Sequence, residues 1–297
     1  MRVKVAGISA STSTVAPRSR RRQPAGRRAS RYAARQALRL LVIVFTAGPF
    51  VWILLASLEG PQAIFRGRIG LSGVSLANYR AAFTAIDVGR YLVNSAIVSV
   101  GSTLIAVGLG VLAGYGLARF RIIGDRWLLL AIVATQLFPG LLLTIPLFLI
   151  LRDIGLIDSL LGLILVYTVF SLPFAVWMMR NYFRAIPREL TDAGLVDGCS
   201  LLGVLWRIIL PVSVPAIIAC STFSLILAWD DFLYASTFLI SNSHYTVSVG
   251  LYSLMSQYGT NWGVLLAGTV LATLPVIAAF MAVQGRLTNL LSGGMKG

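Results

Sequence analysis

Six apolar stretches, each long enough to cross a lipid bilayer as a helix, follow one another along the chain. They cover residues 37–57, 91–118, 127–151, 160–180, 206–228 and 263–284. A bilayer core requires about 20 mostly apolar residues from each helix that spans it. Only 12% of the residues are charged, about half the fraction found in a soluble domain. The sequence therefore predicts an all-α integral membrane protein with six transmembrane helices.

The net charge of +15 is concentrated at the N-terminus, where eleven of the 25 basic residues lie within the first 39 positions. We predict that residues 1–36 form a basic, disordered cytoplasmic tail, residues 37–290 the six-span domain, and residues 291–297 a cytoplasmic C-terminal tail. Such an arm beside a first span favours contact with anionic membrane lipids. It does not predict a nucleic-acid partner.

The distribution of the other basic residues gives the predicted orientation. Six spans with the N-terminus inside place loops 119–126 and 181–205, and the C-terminus, in the cytoplasm. Beyond residue 39, nine basic residues lie on the predicted inner side and five on the outer side. This excess agrees with the positive-inside rule.

The segment between the fourth and fifth spans, residues 189–211, begins with a polar helix pattern. Glu189 and Asp192 lie near the predicted helix N-terminus, where the helix dipole favours negative charge. Ala193 and Asp197 are four residues apart and share one face of that helix. The predicted orientation places this segment at the cytoplasmic surface.

Two glycines and a proline divide the same segment into two predicted helices. Gly194 leaves the backbone open to close approach, and Gly198 can adopt the positive φ that ends a helix. Ser200 can cap a second helix, which Pro211 is predicted to close as the fifth span begins. A short surface helix joined rigidly to a span is suited to transmit force from a docked partner.

The spacing of this segment resembles the EAA loop of ABC-importer permeases, written E-A-A-x3-G-x9-I-x-L-P. The matching positions are Asp192, Ala193, Gly194, Gly198, Ile208, Leu210 and Pro211. Two residues depart from the motif, since Asp192 replaces Glu and Gly194 replaces the second Ala. The departure at Asp192 keeps the negative charge with a shorter reach.

Six further segments resemble the carbohydrate branch of these permeases, specifically the G-type subunit of maltose importers. They are SLANYRAAF (75–83), NSAIVS (94–99), GYGLARFRIIGDR (114–126), FPGLLLTIPLFLILRDIGLIDS (138–159), AWDDFLYA (228–235) and SGGMKG (292–297). The resemblance covers nearly the whole chain beyond the basic tail, in family order.

The resemblance implies a non-catalytic pore subunit of a sugar importer in the bacterial inner membrane, with both termini cytoplasmic. Its implied partners are a second homologous permease, a dimer of ATP-binding subunits and an extracytoplasmic sugar-binding protein. It implies no cofactor on this chain, with ATP and Mg held by the ATP-binding subunits. The residues implied to couple to the ATPase are Glu189, Asp192, Ala193, Gly194, Asp197, Gly198, Ile208 and Pro211.

The residues that could bind ATP or a metal agree with a subunit that does not itself hydrolyse ATP. The chain has no G-x-x-x-x-G-K-[ST] motif, and its only lysines are Lys4 and Lys296. Cys199, Cys220 and the single histidine, His244, are too scattered to predict a metal site. ATP hydrolysis is therefore expected from another subunit, and no catalytic residue is predicted in this chain.

Two other functions are alternatives for a chain of this composition, an ion-coupled secondary transporter and a membrane-embedded enzyme. The first normally requires ionisable side chains deep in the spans, and these spans carry neutral hydroxyl and amide groups instead. The second requires clustered reactive groups at one membrane face, where only the pair Asp230 and Asp231 is available. We predict that Asn94, Gln136 and Trp229 lie near the path of a neutral, hydroxylated solute.

Overall fold

The computed structural model describes residues 25–60, 74–120, 122–256 and 259–293. Contacts divide the chain into two units, residues 1–51 and 52–297. The described part of the first unit belongs to helix α1, Ala25–Ser57. The elements that follow α1 belong to the second unit.

The described elements after α1 are helices, apart from one short hairpin. The helices are α2 (Ala77–Ala85), α3 (Val88–Arg119), α4 (Asp125–Ala134), α5 (Gly140–Asp153), α6 (Leu160–Ala185), α7 (Arg188–Val196), α8 (Leu201–Val204), α9 (Leu210–Asp230), α10 (Leu233–Phe238), α11 (Val247–Tyr252) and α12 (Trp262–Gly293). Strands β1 (Met255–Ser256) and β2 (Gly259–Thr260) form the antiparallel hairpin. The prediction of an all-α membrane protein is confirmed.

Five of the six predicted spans are continuous helices of membrane-crossing length. They are Arg35–Ser57, Val88–Arg119, Leu160–Ala185, Leu201–Asp230 and Trp262–Gln284. Their ends lie within about five residues of the predicted ends, which is the usual scatter for helix boundaries read from a sequence. Apolar length was therefore a sufficient signal for these five.

The predicted third span, 127–151, differs from the single helix expected, because it consists of two helices. Helix α4 and its final 3-10 turn end at Leu137, α5 begins at Gly140, and the two are bent by 96°. Phe138 is extended, as expected for a residue before proline. Pro146, by contrast, lies inside α5. Apolar length alone cannot distinguish a straight span from this broken one.

Helix α1 also begins earlier than the sequence suggested. It starts at Ala25, whereas the predicted disordered tail extends to residue 36. The intervening Ala, Arg and Gln residues have high helix propensity, and no proline interrupts them. The rest of the predicted N-terminal tail, residues 1–24, and the last four residues of the chain lie outside the described residues.

Helices α3 and α6 form the centre of the second unit and approach closely at two glycines. A Cβ added to Gly110 would lie 2.6 Å from the Cβ of Ala175, and one added to Gly114 would lie 2.8 Å from the backbone nitrogen of Arg180. These distances leave no room for a side chain. The small residues of the second span thus allow the close helix contact that membrane bundles use.

One end of this helix pair brings together the two loops predicted to be cytoplasmic. The guanidinium of Arg119 donates to the carbonyl of Ile186, with both terminal nitrogens at 3.2 Å. Arg180, whose side chain is 7% exposed, forms an ion pair of 2.7 Å with Asp125. The structure therefore places loops 119–126 and 181–205 at the same end of the bundle.

The opposite end is held together by Asp158, in the loop between α5 and α6. Its carboxylate accepts the backbone N–H groups of Ile240 and Ser241, each at 2.9 Å, and the Ser241 hydroxyl. Burial raises the pKa of this carboxyl, but these hydrogen bonds outweigh burial and hold its pKa well below the usual range. The ionised carboxylate thus ties this loop to the segment after α10.

We expect Gly110→Ala to lower the stability of the folded chain, because the added methyl group overlaps Ala175. The cost should be about 1–3 kcal/mol, as for other overpacked cores. Gly108→Ala on the same helix is the matched control, since nothing lies within 4 Å of its added Cβ. Thermal unfolding in detergent measures both, and equal effects of the two variants would contradict the packing described here.

We expect Asp158→Asn to lower the melting temperature at pH 7. Because the folded-state pKa of Asp158 is depressed, its contribution is present above the unfolded pKa of about 4 and is lost as the pH falls below that value. The difference from the wild type should therefore shrink in acid. Asp153→Asn, whose side chain is exposed, is the control. A difference in melting temperature that did not change with pH would argue against stabilisation by the ionised carboxylate of Asp158.

Candidate functional site: the coupling segment and a groove along α6

Helix α7 presents one face to the protein and the other to solvent. Thr191 and Gly194 are buried, whereas Glu189, Asp192 and Ala193 are exposed. Asp197 follows the last turn and is exposed as well. The predicted common face of Ala193 and Asp197 is therefore accessible to another molecule.

Gly198 ends α7 with the turn that the sequence predicted. Its φ is +84°, a value that favours glycine. The N–H of Cys199 donates to the carbonyl of Gly194 at 3.0 Å, and the N–H of Gly198 donates to that of Leu195 at 3.1 Å. This pair of bonds is a Schellman motif, which satisfies the last carbonyls of the helix. The exit from α7 is thereby fixed.

Ser200 caps the next helix, as predicted, since its hydroxyl accepts the N–H of Gly203 at 3.1 Å. The prediction that Pro211 closes this helix is wrong. Helix α8 continues through a π turn, Leu205–Ile209, into α9, and the N–H of Leu210 donates to the carbonyl of Leu205. The wider turn accommodates Pro211, which lacks an N–H. One helical segment therefore joins the surface to the fifth span.

Gly194 allows α7 to pack directly on this helical segment. A Cβ at this position would lie 2.5 Å from Cδ1 of Ile208 and 3.0 Å from a methyl group of Val204. The space that a second Ala would occupy is filled by these two side chains. The departure from the E-A-A triplet at Gly194 thus has a packing reason, and it brings Ile208 against the surface helix.

The three residues predicted near a solute path lie in different places. Asn94 is buried, and its amide donates to the carbonyls of Ser243 and Tyr245 at 2.9 Å each. Trp229 packs against the apolar cluster that includes Val88. Gln136 lines two cavities beside α6. Of the three, the structure brings only Gln136 to a groove.

Asp231 occupies the same groove, although the sequence offered it only as one of an adjacent pair of acids. Its Oδ2 accepts the Tyr167 hydroxyl at 2.6 Å and the N–H groups of Tyr234 and Ala235 at 3.1 and 3.2 Å. Burial raises the pKa of Asp231 above its usual value, although these three donors favour the ionised form. The groove therefore carries an acidic group at one end.

An aromatic stripe on α6 forms the wall of this groove. Tyr167, Phe170, Phe174 and Trp177 recur every three or four residues. That period places them on one helix face, so the stripe could have been found from the sequence. The pairing of Tyr167 with Asp231, 64 residues further along the chain, depends on how α6 and α9 pack. It could not have been found from the sequence.

Residues 106–292 match the family described as binding-protein-dependent transport system inner membrane component. The chain belongs to this family. A sulfoquinovosyl glycerol transport system permease of Agrobacterium fabrum is 34% identical, over 84% of this chain and 88% of the relative. A trehalose transport system permease of Mycobacterium tuberculosis is 33% identical, over 91% of this chain and 99% of the relative.

Two solved structures share the fold. One is a bacterial ABC transporter involved in import of the acidic polysaccharide alginate, with a TM-score of 0.76, 22% identity, and coverage of 89% of this chain and 98% of that chain. The other is the MetNI methionine ABC transporter, with a TM-score of 0.54, 20% identity, and coverage of 68% and 93%. At these identities the likeness concerns the fold alone.

The family fixes the broad role of the chain. It is a multi-pass permease of the inner membrane and belongs to an ABC importer, in which ATP hydrolysis lies in a separate subunit. Its partners include an ATPase and a substrate-binding protein. The predicted membership in the ABC-importer permeases, with a likeness to sugar permeases, is confirmed.

We expect Gly194→Val to destabilise the fold, because its side chain would overlap Ile208 and Val204. The expected cost is about 1–3 kcal/mol. Ala193→Val is the matched control, because Ala193 is next to Gly194 in the sequence but lies on the exposed face of α7. Thermal unfolding in detergent distinguishes them, and a fully stable Gly194→Val chain would contradict the packing of α7 on the π turn.

Proposed function

We propose that this permease is the pore subunit of an ATP-driven importer of sugars. The support comes from relatives with a transport name in this class, among them the trehalose permease and a diacetylchitobiose uptake permease of Streptomyces coelicolor, which is 30% identical over 89% of this chain. The spans are also consistent with a neutral solute. Their polar side chains are largely hydroxyl and amide groups.

We propose that α7 is the helix on which the ATPase acts. The contact face comprises Glu189, Asp192, Ala193 and Asp197. Gly194 and Ile208 join that face to the fifth span, Gly198 sets its exit, and Pro211 lies at the start of α9. The single observation that carries the proposal is the close packing of α7 on the continuous segment Leu201–Asp230, where Ala193 is exposed and the neighbouring Gly194 is buried against Ile208.

The proposed assembly contains this chain, a second homologous permease, two ATP-binding subunits that hold ATP and Mg, and an extracytoplasmic sugar-binding protein. Both termini of this chain are proposed to be cytoplasmic, with the basic N-terminal region near anionic lipids. The shared end of loops 119–126 and 181–205 supports this orientation. Five basic residues lie in these two loops, and they favour the inner side.

We expect Asp192→Lys to reduce co-purification with the ATP-binding subunit and to lower transport at least tenfold. The variant reverses the charge on an exposed face while the buried face of α7 is unchanged. Asp153→Lys is the control. It makes the same charge change at the exposed end of α5, before α6 begins, whereas α7 follows the opposite end of α6. Normal ATPase capture and uptake by Asp192→Lys would count against the proposed docking face.

Vanadate-sensitive uptake by reconstituted proteoliposomes tests the function as a whole. We expect uptake of a sugar bound by the cognate binding protein to require the ATP-binding subunits and ATP, and to stop with vanadate. Uptake driven by an ion gradient without those subunits would show a secondary transporter instead.

A further inference from the structure

A cleft that contains three arginines lies between α4 and α6, at the end of the bundle that carries loops 119–126 and 181–205. Its volume is about 470 Å³. The described residues that line it are Asp125, Arg126, Leu129, Leu130, Arg180 and Arg184. Three arginines and one aspartate leave this lining with a net charge of +2, so the cleft attracts anions.

Arg180 forms the buried part of the cleft. Its side chain is 7% exposed, and its Nη2 donates to Asp125 Oδ2 at 2.7 Å. A guanidinium has five N–H donors. Within the described residues Asp125 is the one acceptor that the structure gives Arg180, and the buried Nε has no partner there. Because a buried cation is stable only when it is paired and hydrogen-bonded, Arg180 favours a further acceptor in the cleft.

Arg184 lies one turn further along α6 and shares the carboxylate of Asp125. Its Nη2 is 3.6 Å from Asp125 Oδ2, and its side chain is 53% exposed. Residues four apart lie on one face of a helix, which explains why Arg180 and Arg184 line the same cleft. Since one carboxylate serves two guanidinium groups, positive charge remains for an anion from outside the chain.

The α4 wall of the cleft changes from polar to apolar within one turn. Asp125 and Arg126 lie in the first turn of α4, and Leu129 and Leu130 lie four residues further along it. Four residues of helix correspond to about 6 Å. Leu130 is 51% exposed. A ligand that fills the cleft therefore has an anionic group beside the arginines and an apolar part about 6 Å away, as a phospholipid has.

The surface beside the cleft favours a lipid over a free phosphate ion. Ile123 is fully exposed, and Trp127 is 75% exposed. Tryptophan is enriched where a protein meets the membrane interface. A soluble phosphate has no apolar part to contact these side chains. Arginine, moreover, matches the geometry of phosphate oxygens, and basic pockets between membrane helices bind anionic lipid headgroups.

We propose that this cleft is a binding site for an anionic phospholipid. The headgroup phosphate accepts hydrogen bonds from Arg126, Arg180 and Arg184, and the acyl chains begin along Leu129 and Leu130. The site requires a membrane but no particular solute, so it is independent of the proposed transport of sugars. Arg184 lies in the last turn of α6 and α7 begins at Arg188. The bound lipid would therefore lie beside the connection to α7.

Thermal unfolding of the full-length chain in a neutral detergent tests the site, because a ligand that binds the folded state raises the melting temperature. The probes are dioleoylphosphatidylglycerol, which is anionic, dioleoylphosphatidylcholine, which has the same acyl chains and no net charge, and inorganic phosphate. We expect the first alone to raise the melting temperature. An equal rise with phosphatidylcholine would show general solvation by lipid, and an equal rise with inorganic phosphate would show a site for the free ion. Either result, or no rise with phosphatidylglycerol, would overturn the proposal.

Arg184→Gln locates the effect in the cleft. The loss of one charge-assisted hydrogen bond should raise the phosphatidylglycerol concentration needed for half of the stabilisation about tenfold. Without lipid the variant should melt near the wild type, because a partly exposed ion pair contributes little to stability. Combining it with Arg126→Gln should remove the response to phosphatidylglycerol.

Arg207→Gln is the matched control. It removes the same charge from an exposed position in the π turn, outside the cleft. The basic N-terminal region is unchanged in both variants, so lipid binding by that region would affect both equally. An equal response of Arg184→Gln and Arg207→Gln to phosphatidylglycerol would show a diffuse effect of surface charge and would refute the site.

Photolabelling tests the cleft in the assembled transporter. A phosphatidylglycerol analogue with a diazirine in its headgroup is incorporated into proteoliposomes that contain the permease and its partner subunits. We expect adducts within residues 122–130 and 177–185, and a loss of these adducts in the variant that combines Arg126→Gln with Arg184→Gln. A lack of adducts in both ranges would show that another subunit covers the cleft and would overturn the proposal. None of these measurements uses transport, so their failure would leave the ATP-driven importer untouched.

Discussion

The close contact of α3 with α6 is the interaction on which the rest of the second unit depends. Gly110 and Gly114 let the backbones approach until a single methyl group would not fit. In lipid, such packing replaces the hydrophobic effect as the force that holds helices together. Because α6 is fixed in this way, both of its ends and its other face are positioned at once.

Helix α6 joins the two candidate sites. Beyond its C-terminal end lies α7, which Gly194 packs onto the segment leading into α9. Another face of α6 carries the aromatic stripe that lines the groove. Helix α9 reaches the groove again through Asp231, which follows its last residue. One continuous helical segment therefore leads from the surface beside α7 to the acidic end of the groove.

The coupling segment was predictable because its information is local. Gly198 is the residue that a positive φ requires, and Ser200 is a favoured cap, so the turn and the second helix could be placed from residue type alone. The path of the chain at Pro211 could not be placed in this way, because a proline is compatible both with the end of a helix and with a π turn that continues into the next helix. The break at Phe138 and Pro139 was missed for a similar reason: proline permits a bend, and neighbouring helices set its angle.

The sequence by itself determined the class of protein, the number of apolar segments and the position of the surface helix, because these follow from hydropathy, spacing and backbone preference. Only the tertiary structure decided which polar groups meet. Asn94 is committed to two carbonyls of a distant loop, whereas Asp231 meets Tyr167 across two helices. Contacts between residues far apart in the chain depend on helix rotation and depth, which a period of 3.6 residues does not specify.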